Sequence, residues 1–310
     1  MTGAPSAIID GESLIGAGRP IEVVNPATEE VIAQIPEAGD DLVDRAVASA
    51  RAVFDRGDWR LMSVAERQRI LRACADAIVA HADEIADVEC ANLGVPLAQI
   101  RNGLVRRVPG NFHFFADYIG QMTSELYEQE KEYLTFVRRE PVGVAALVSP
   151  WNSPLALGSM KIVSAIAFGN SCVLKPAEQA PLGITRLVEV LQGAGLPPGV
   201  VNLVNGTGVG AGDRLVRHPG TSRISFTGGT RTGRVIMAAA GENLKPSSWN
   251  WAGNRPISFS TMPISSRLWT GRCSAYSAIT ASNVWPDRAY WCSAPSPTGS
   301  SRRLSNEPAG

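Results

Sequence analysis

Four short stretches carry residues whose types could handle an anionic cofactor or a polarised carbonyl. In Lys175-Pro176-Ala177-Glu178 a cation and a carboxylate stand three residues apart. Such a pair could grip sugar hydroxyls, or it could be an ordinary solvated loop. Ser149-Pro150-Trp151-Asn152 offers a side-chain amide, Asn152, able to donate a hydrogen bond to an oxygen on which charge develops. The same four residues also suit a turn plugged by an aromatic ring. Thr227-Gly228-Gly229-Thr230, with Gly233 behind it, places glycines and hydroxyls where a helix is expected to open. Free amides at a helix start can hold a phosphate, although a threonine-capped turn would look the same. The run from Asn205 to Gly212 holds Gly206, Gly208, Gly210 and Gly212 and approaches a dinucleotide fingerprint. Ala211 replaces its third glycine, however, and Arg223 and its neighbours stand where an acid for a ribose hydroxyl belongs. Tight-turn geometry accounts for these glycines equally well.

Each stretch follows a short apolar run. Strands are expected at Val144–Val148, Ser171–Leu174, Val200–Val204 and Arg223–Phe226. Helices are expected between and after them, over 153–168, 181–191, 211–216 and 230–240. Strands alternating with helices imply an α/β chain with an open, parallel, Rossmann-like sheet. Ligands of such sheets bind beyond the carboxyl ends of the strands, where all four stretches fall. Further upstream, 41–54 has one apolar face. Ser63-Val64-Ala65-Glu66 forms a capping-box pattern before a second helix, in which Cys74 reads as a core residue.

Composition narrows the class. The 310 residues carry 29 basic and 29 acidic side chains, a balance that argues against nucleic acid or a polybasic membrane surface as partner. Five scattered cysteines without a CxxC pair make neither a disulfide framework nor a metal site, which points to a reducing cytoplasm. No secretory leader is expected at the start. The uncharged run from Val142 to Met160 holds Pro150, Asn152 and Pro154, so it is not expected to span a membrane. Composition then changes abruptly. Residues 247–310 hold 14 serines, five of the seven tryptophans and only two acids, and they have no lysine.

Asn25-Pro26-Ala27-Thr28, Ser149-Pro150-Trp151-Asn152, Lys175-Pro176-Ala177-Glu178 and Phe226-Thr227-Gly228-Gly229-Thr230 together resemble, in order and spacing, the NAD(P)-dependent aldehyde dehydrogenase superfamily. The resemblance covers about residues 7–246. It implies oxidation of a small-molecule aldehyde to the acid through a cysteine adduct, with hydride passing to the nicotinamide. Asn152 would be the oxyanion donor. Lys175 and Glu178 would hold the adenosine ribose, with the glutamate favouring NAD over NADP. Pro150 and Trp151, beside Ser149, would line the cofactor cleft. Gly228, Gly229 and Thr230 would lie near the pyrophosphate, flanked by Thr227 and Gly233, and Gly208 and Gly212 are carried as further cofactor contacts. The stretch Phe112–Tyr118 with Val144–Asn152 looks most like members that oxidise semialdehydes and aromatic aldehydes. The family forms homo-oligomers, and no counterpart of its C-terminal oligomerisation strand is recognisable here.

Past Pro246 the resemblance stops. The family's Glu-Leu-Gly-Gly, bearing the general base, and its nucleophilic cysteine do not appear; Trp249, Asn250 and Trp251 stand at the first and Cys273 and Cys292 miss the second. The genetic code supplies an explanation. Tryptophan has one codon, TGG, so codons formed from the last base of one triplet and the first two of the next are largely forced. Across Trp249–Asn250 the shifted codon is glutamate, across Asn250–Trp251 leucine and across Trp251–Ala252 glycine. Ala252–Gly253 permits the second glycine, Thr261–Ile264 permits Asp-Ala-Asp and Ala281–Asn283 permits Gln-Gln. Across Asn283–Val284, 34 codons past the glutamate, it is cysteine or arginine. The expectation is therefore a cofactor-binding domain over 1–246, then an out-of-frame, disordered tail over 247–310 that does not join the sheet. Such a chain lacks nucleophile and base and would not turn over an aldehyde. The rivals are a non-catalytic nucleotide-binding fragment or an unstable truncated product, and a Rossmann reductase using Gly206 and Gly208.

Overall fold

The computed structural model describes residues 4–130 and 133–251. The chain divides into units Met1–Ile257 and Ser258–Gly310, and every described residue belongs to the first. In chain order the elements are β1 (Ala7–Ile9), β2 (Glu12–Leu14), β3 (Pro20–Val24), β4 (Val31–Pro36), α1 (Asp40–Arg56), α2 (Val64–Ala80) and α3 (Ala82–Leu93). The short α4 (Leu97–Gln99) runs through a π-helical turn into α5 (Val105–Gly120). There follow β5 (Glu125–Glu130), β6 (Tyr133–Val137), β7 (Val144–Val148), α6 (Pro154–Ile166), β8 (Ser171–Lys175), α7 (Leu182–Gly193) and β9 (Val201–Val204). A π-helical turn over Gly208–Gly212 then leads into α8 (Asp213–Arg217), β10 (Arg223–Gly228), α9 (Thr230–Glu242) and β11 (Ser247–Trp251).

The expected strand–helix alternation from residue 144 onward is present. It builds a sheet of order β11-β10-β7-β8-β9-β1-β2. The five strands from β7 to β11 are parallel, while β1 and β2 add an antiparallel edge that sequence periodicity did not signal. Successive residues of a strand face opposite ways, and here each face is buried. Ala145, Leu147, Cys172 and Leu174 pack with α2, α5, α6 and α7, whereas Val144, Ala146 and Val173 pack with α1, α8 and α9. Strands covered on both sides read as unbroken apolar runs, which is why β7 and β8 were legible.

Two local details differ from expectation. At the start of α2 the Glu66 amide donates to Ser63 Oγ at 3.2 Å, so the forward half of the cap forms. The Glu66 carboxylate pairs with Arg69 instead of returning to Ser63. The second difference corrects the tail. Ser247–Trp251 does join the sheet, in parallel register with β10 from Ile224↔Ser247 to Gly228↔Trp251. The physical reason is that parallel pairing is made by main-chain groups that every non-proline residue carries. Trp249 adds an edge-to-face contact with Phe226 at 5.9 Å between ring centres. Residues 252–310, including Cys273, Cys292 and the Asn283–Val284 junction, lie outside the described residues. Among the described residues no helix is long and apolar enough to cross a membrane, and no group of side chains could hold a metal ion.

Candidate functional site

The parallel strands end on one side of the sheet, and their loops bring the four stretches together. The register fixes the first two. Val148 is paired with Lys175, and the Ser149 amide donates to the Lys175 carbonyl at 3.2 Å, so the loops leaving β7 and β8 start side by side. After β7, Ser149 and Pro150 are buried, Trp151 is exposed and Asn152 is half-buried in the approach to α6. Pro154 opens α6, where the missing amide hydrogen costs nothing. Ser149 Oγ is buried without a hydrogen-bond partner among the described residues.

After β8, Lys175 is 3% exposed and its Nζ lies 3.1 Å from Glu178 Oε2. Burial pulls this ammonium below the ordinary lysine range, while the Glu178 and Glu37 carboxylates draw it back up. The pair therefore sets a buried lysine amine against a carboxylate at the mouth of the sheet. Asn92 on α3 braces the same loop. Its Nδ2 donates to the Gln179 carbonyl at 3.0 Å, and its Oδ1 accepts from the Leu182 amide at 2.9 Å where α7 begins.

After β9, the glycine-rich turn is already filled by an anion from the protein itself. Glu37, just past β4, accepts from the Thr207 amide at 2.8 Å and from Thr207 Oγ1 at 2.7 Å. A Cβ on Gly210 would collide with Glu37 Oε1, and one on Gly206 would come within 3.2 Å of it. Burial raises the Glu37 pKa. The Thr207 and Ala211 hydrogen bonds and the Lys175 charge more than offset this, and they hold the carboxyl below its usual range. Gly208 is exposed, and Gly212 is buried behind Lys175, where a Cβ would lie 3.5 Å from Lys175 Cδ. Gly208 thus opens a turn that Glu37 occupies, whereas Gly212 backs onto the Lys175 stem, where a Cβ would make an ordinary contact.

After β10, Thr227 is buried and Gly228 half-buried, while Gly229 and Thr230 are exposed. Gly229 caps α9 with no side-chain hydrogen bond, and nothing lies within 4 Å of where its Cβ would stand. Gly233, one turn on, is buried against the sheet side of the helix. The α9 start therefore presents main-chain amides at an open surface, the arrangement that receives a phosphate.

Three ionisable residues near the site were not among the candidates that sequence patterns singled out. Glu37 is one. Lys161 on α6 is buried, donates to Ser225 Oγ at 2.8 Å and is pushed down to about 8 by burial. Glu89 on α3 is fully buried and has no full hydrogen bond to either oxygen among the described residues. Burial pushes it up to about 8, against a lowering influence of the Leu155 amide in the first turn of α6. An ionisable residue inside an apolar helix face was the available cue for Lys161. Two of the three described cysteines, Cys74 and Cys172, are not poised as nucleophiles. Cys74 is buried with its thiol pushed up to about 12, and Cys172 is shifted upward by the same desolvation.

The profile of the aldehyde dehydrogenase family matches residues 15–260. The chain is 42% identical over 233 residues to 5-carboxymethyl-2-hydroxymuconate semialdehyde dehydrogenase of Escherichia coli, covering 75% of this chain and 49% of that protein. It is 42% identical over 242 residues to 2-hydroxymuconic semialdehyde dehydrogenase of a Pseudomonas species, covering 76% and 50%. Among solved structures it resembles the NAD+ complex of an aldehyde dehydrogenase from Bacillus cereus, with a TM-score of 0.79, 36% identity and coverage of 82% and 52%. The chain belongs to the aldehyde dehydrogenase family. It spans about half the length of the curated relatives it matches.

Proposed function

We propose that this chain is the cofactor-binding portion of an NAD-dependent aldehyde dehydrogenase whose catalytic residues are lost to a one-base shift near codon 246. The observation that carries the nucleotide reading is the pair of buried Lys175 and half-buried Glu178, together with the open start of α9. The residues fit a dinucleotide. Lys175 and Glu178 offer a donor and an acceptor for ribose hydroxyls. The α9 amides at Gly229 and Thr230 suit the diphosphate, with Thr227 and Gly228 leading into them. Bound NAD would supply a hydride acceptor. Ser149, Pro150 and Trp151 would wall the cleft, and Asn152 would hold a carbonyl oxygen by its side-chain amide. A hydrogen bond to the carbonyl does not form the adduct from which hydride leaves; that needs a thiolate. Burial keeps Cys74 and Cys172 protonated, and Trp249 and Asn250 stand where the family's glutamate belongs. Two relatives that act on hydroxymuconate semialdehydes, by their names, favour a semialdehyde as the substrate of the intact lineage.

The test has two arms. Calorimetry with NAD on the unaltered chain and on Lys175→Ala should show binding that the substitution weakens; equal, tight binding by both removes Lys175 from the site. NADH formation should be absent with aromatic aldehydes and semialdehydes, and should appear once a base is restored near codon 246. A second reading, a Rossmann reductase using Gly206 and Gly208, is disfavoured because the Glu37 carboxylate already fills that turn.

A further inference from the structure

We infer that Glu37 is a second specificity-determining acid of the nucleotide site, which acts with Glu178 to discriminate against a ribose 2′-phosphate. The inference rests on the NAD reading above and on the order of groups across the carboxyl ends of β8 and β9. Glu178 touches Lys175 Nζ at 3.1 Å on one side. On the other side the turn carrying Thr207 and Gly212 lies against the Lys175 stem. Glu37 is fastened to that turn by both the amide and the hydroxyl of Thr207. Glu37 and Lys175 act on each other electrostatically, so the buried lysine at this corner of the site faces two carboxylates.

The consequence follows from charge counting. A ribose 2′-hydroxyl is neutral and can donate to Glu178 while accepting from Lys175. A 2′-phosphate brings nearly two negative charges to the same place. It meets one lysine that already faces two carboxylates, and it cannot donate to either of them. Glu178 is a half-buried side chain on a loop, so it can turn aside at modest cost. Glu37 cannot. It comes from a separate element, is gripped by two hydrogen bonds and sits where Gly206 and Gly210 leave room for it. A fixed, partly desolvated charge is screened far less than a mobile surface one. Discrimination therefore does not rest on the loop glutamate alone.

Glu37→Gln tests this, since glutamine keeps an oxygen to accept from Thr207 while it removes the charge and turns the second oxygen into an NH2 donor. Calorimetry with NAD and NADP, and with the fragments ADP and 2′,5′-ADP, is run on the unaltered chain and the variant at low and high salt. The expected result is a rise of about tenfold or more in NADP affinity relative to NAD, mirrored by the two fragments and reduced at high salt. If Glu37 only braces the turn, Glu37→Gln will change both dinucleotides by the same factor and the ratio will stay put, which overturns the inference. A Thr207→Val variant, which keeps the charge but removes one of its two tethers, should weaken both and move the ratio in the same direction as Glu37→Gln by a smaller factor; a larger shift than that of Glu37→Gln would contradict a role for the charge. Failure of the unaltered chain to bind either dinucleotide would instead remove the nucleotide reading, and the inference with it.

Discussion

Gly183 has no side chain because Glu89 fills its place. A Cβ built on this first-turn residue of α7 would run into Glu89 Oε2 from α3. The carboxyl is wedged among α3, the start of α6 and the start of α7, two helices that leave the site loops. Gly183→Ala should therefore destabilise the fold by about 1–3 kcal/mol through overpacking. Pairing it with Glu89→Ala should recover part of the loss. Chemical denaturation of the two single variants and the double variant measures the coupling. Strict additivity would show that the two groups do not meet.

Glu89 also sets a pH dependence whose sign can be worked out. Its folded pKa is raised from 4.5 to about 8. The stability it contributes is fully present below pH 4.5 and is lost as pH rises toward 8, because the unfolded chain releases the proton first. Lys161 acts in the opposite direction at higher pH. Its pKa is lowered from 10.5 to about 8, so its contribution is present above 10.5 and is lost as pH falls through 8. Stability should dip near pH 8, with each group adding a slope of up to about 1.4 kcal/mol per pH unit. Denaturant midpoints from pH 5 to 10 trace the curve. Glu89→Gln should flatten the limb below 8 and leave the upper one.

Asn92 holds the loop that bears Glu178 without touching the proposed ligand. Asn92→Ala leaves the Leu182 amide and the Gln179 carbonyl without this partner. The expected cost is roughly 1–3 kcal/mol for a buried amide left unmet. NAD affinity should fall with it, and the adenosine half of the nucleotide should account for the loss. Calorimetry with ADP and with nicotinamide mononucleotide separates the halves; equal loss in both would contradict a loop-specific role.

The pairing of β11 makes a separate expectation. Main-chain amides of Ser247–Trp251 that pair with β10 should exchange with solvent as slowly as those of α9. Trp249→Ala, which removes the edge-to-face contact with Phe226, should cost about 1 kcal/mol or more and quicken exchange in β11 and β10 together. Exchange in 247–251 at the rate of an unpaired chain would contradict the register.

The sequence disclosed what repeats and concealed what occurs once. β7, β8 and α1 were legible because burial on both faces of a strand, or one face of a helix, recurs over many residues. β1 and β2 have only three residues each, and β2 is mostly exposed, so neither makes a pattern. Lys175, Glu178 and Asn152 could be singled out because they follow strands, and the topology places strand ends together. Glu37, Glu89 and Lys161 could not, since each is one charged letter in an ordinary stretch. Glu37 meets Thr207 across 170 residues of chain. Partners at that separation follow from the fold alone. β11 was missed for the converse reason, because a composition that signals nothing native was taken to forbid a structure that main-chain groups supply.

The pairing of β11 with β10 bears on how a cell would judge this protein. Surveillance by chaperones and proteases senses populations of unfolded chain and exposed apolar surface, and it does not sense chemistry. Phe226 is buried and β11 pairs with β10 through main-chain groups over Ser247–Trp251, so this end of the sheet presents a paired strand where a bare β10 edge would otherwise lie. Abundance and thermal resistance would then report sound manufacture alone, and whether anything is being made would have to be read from an assay of turnover.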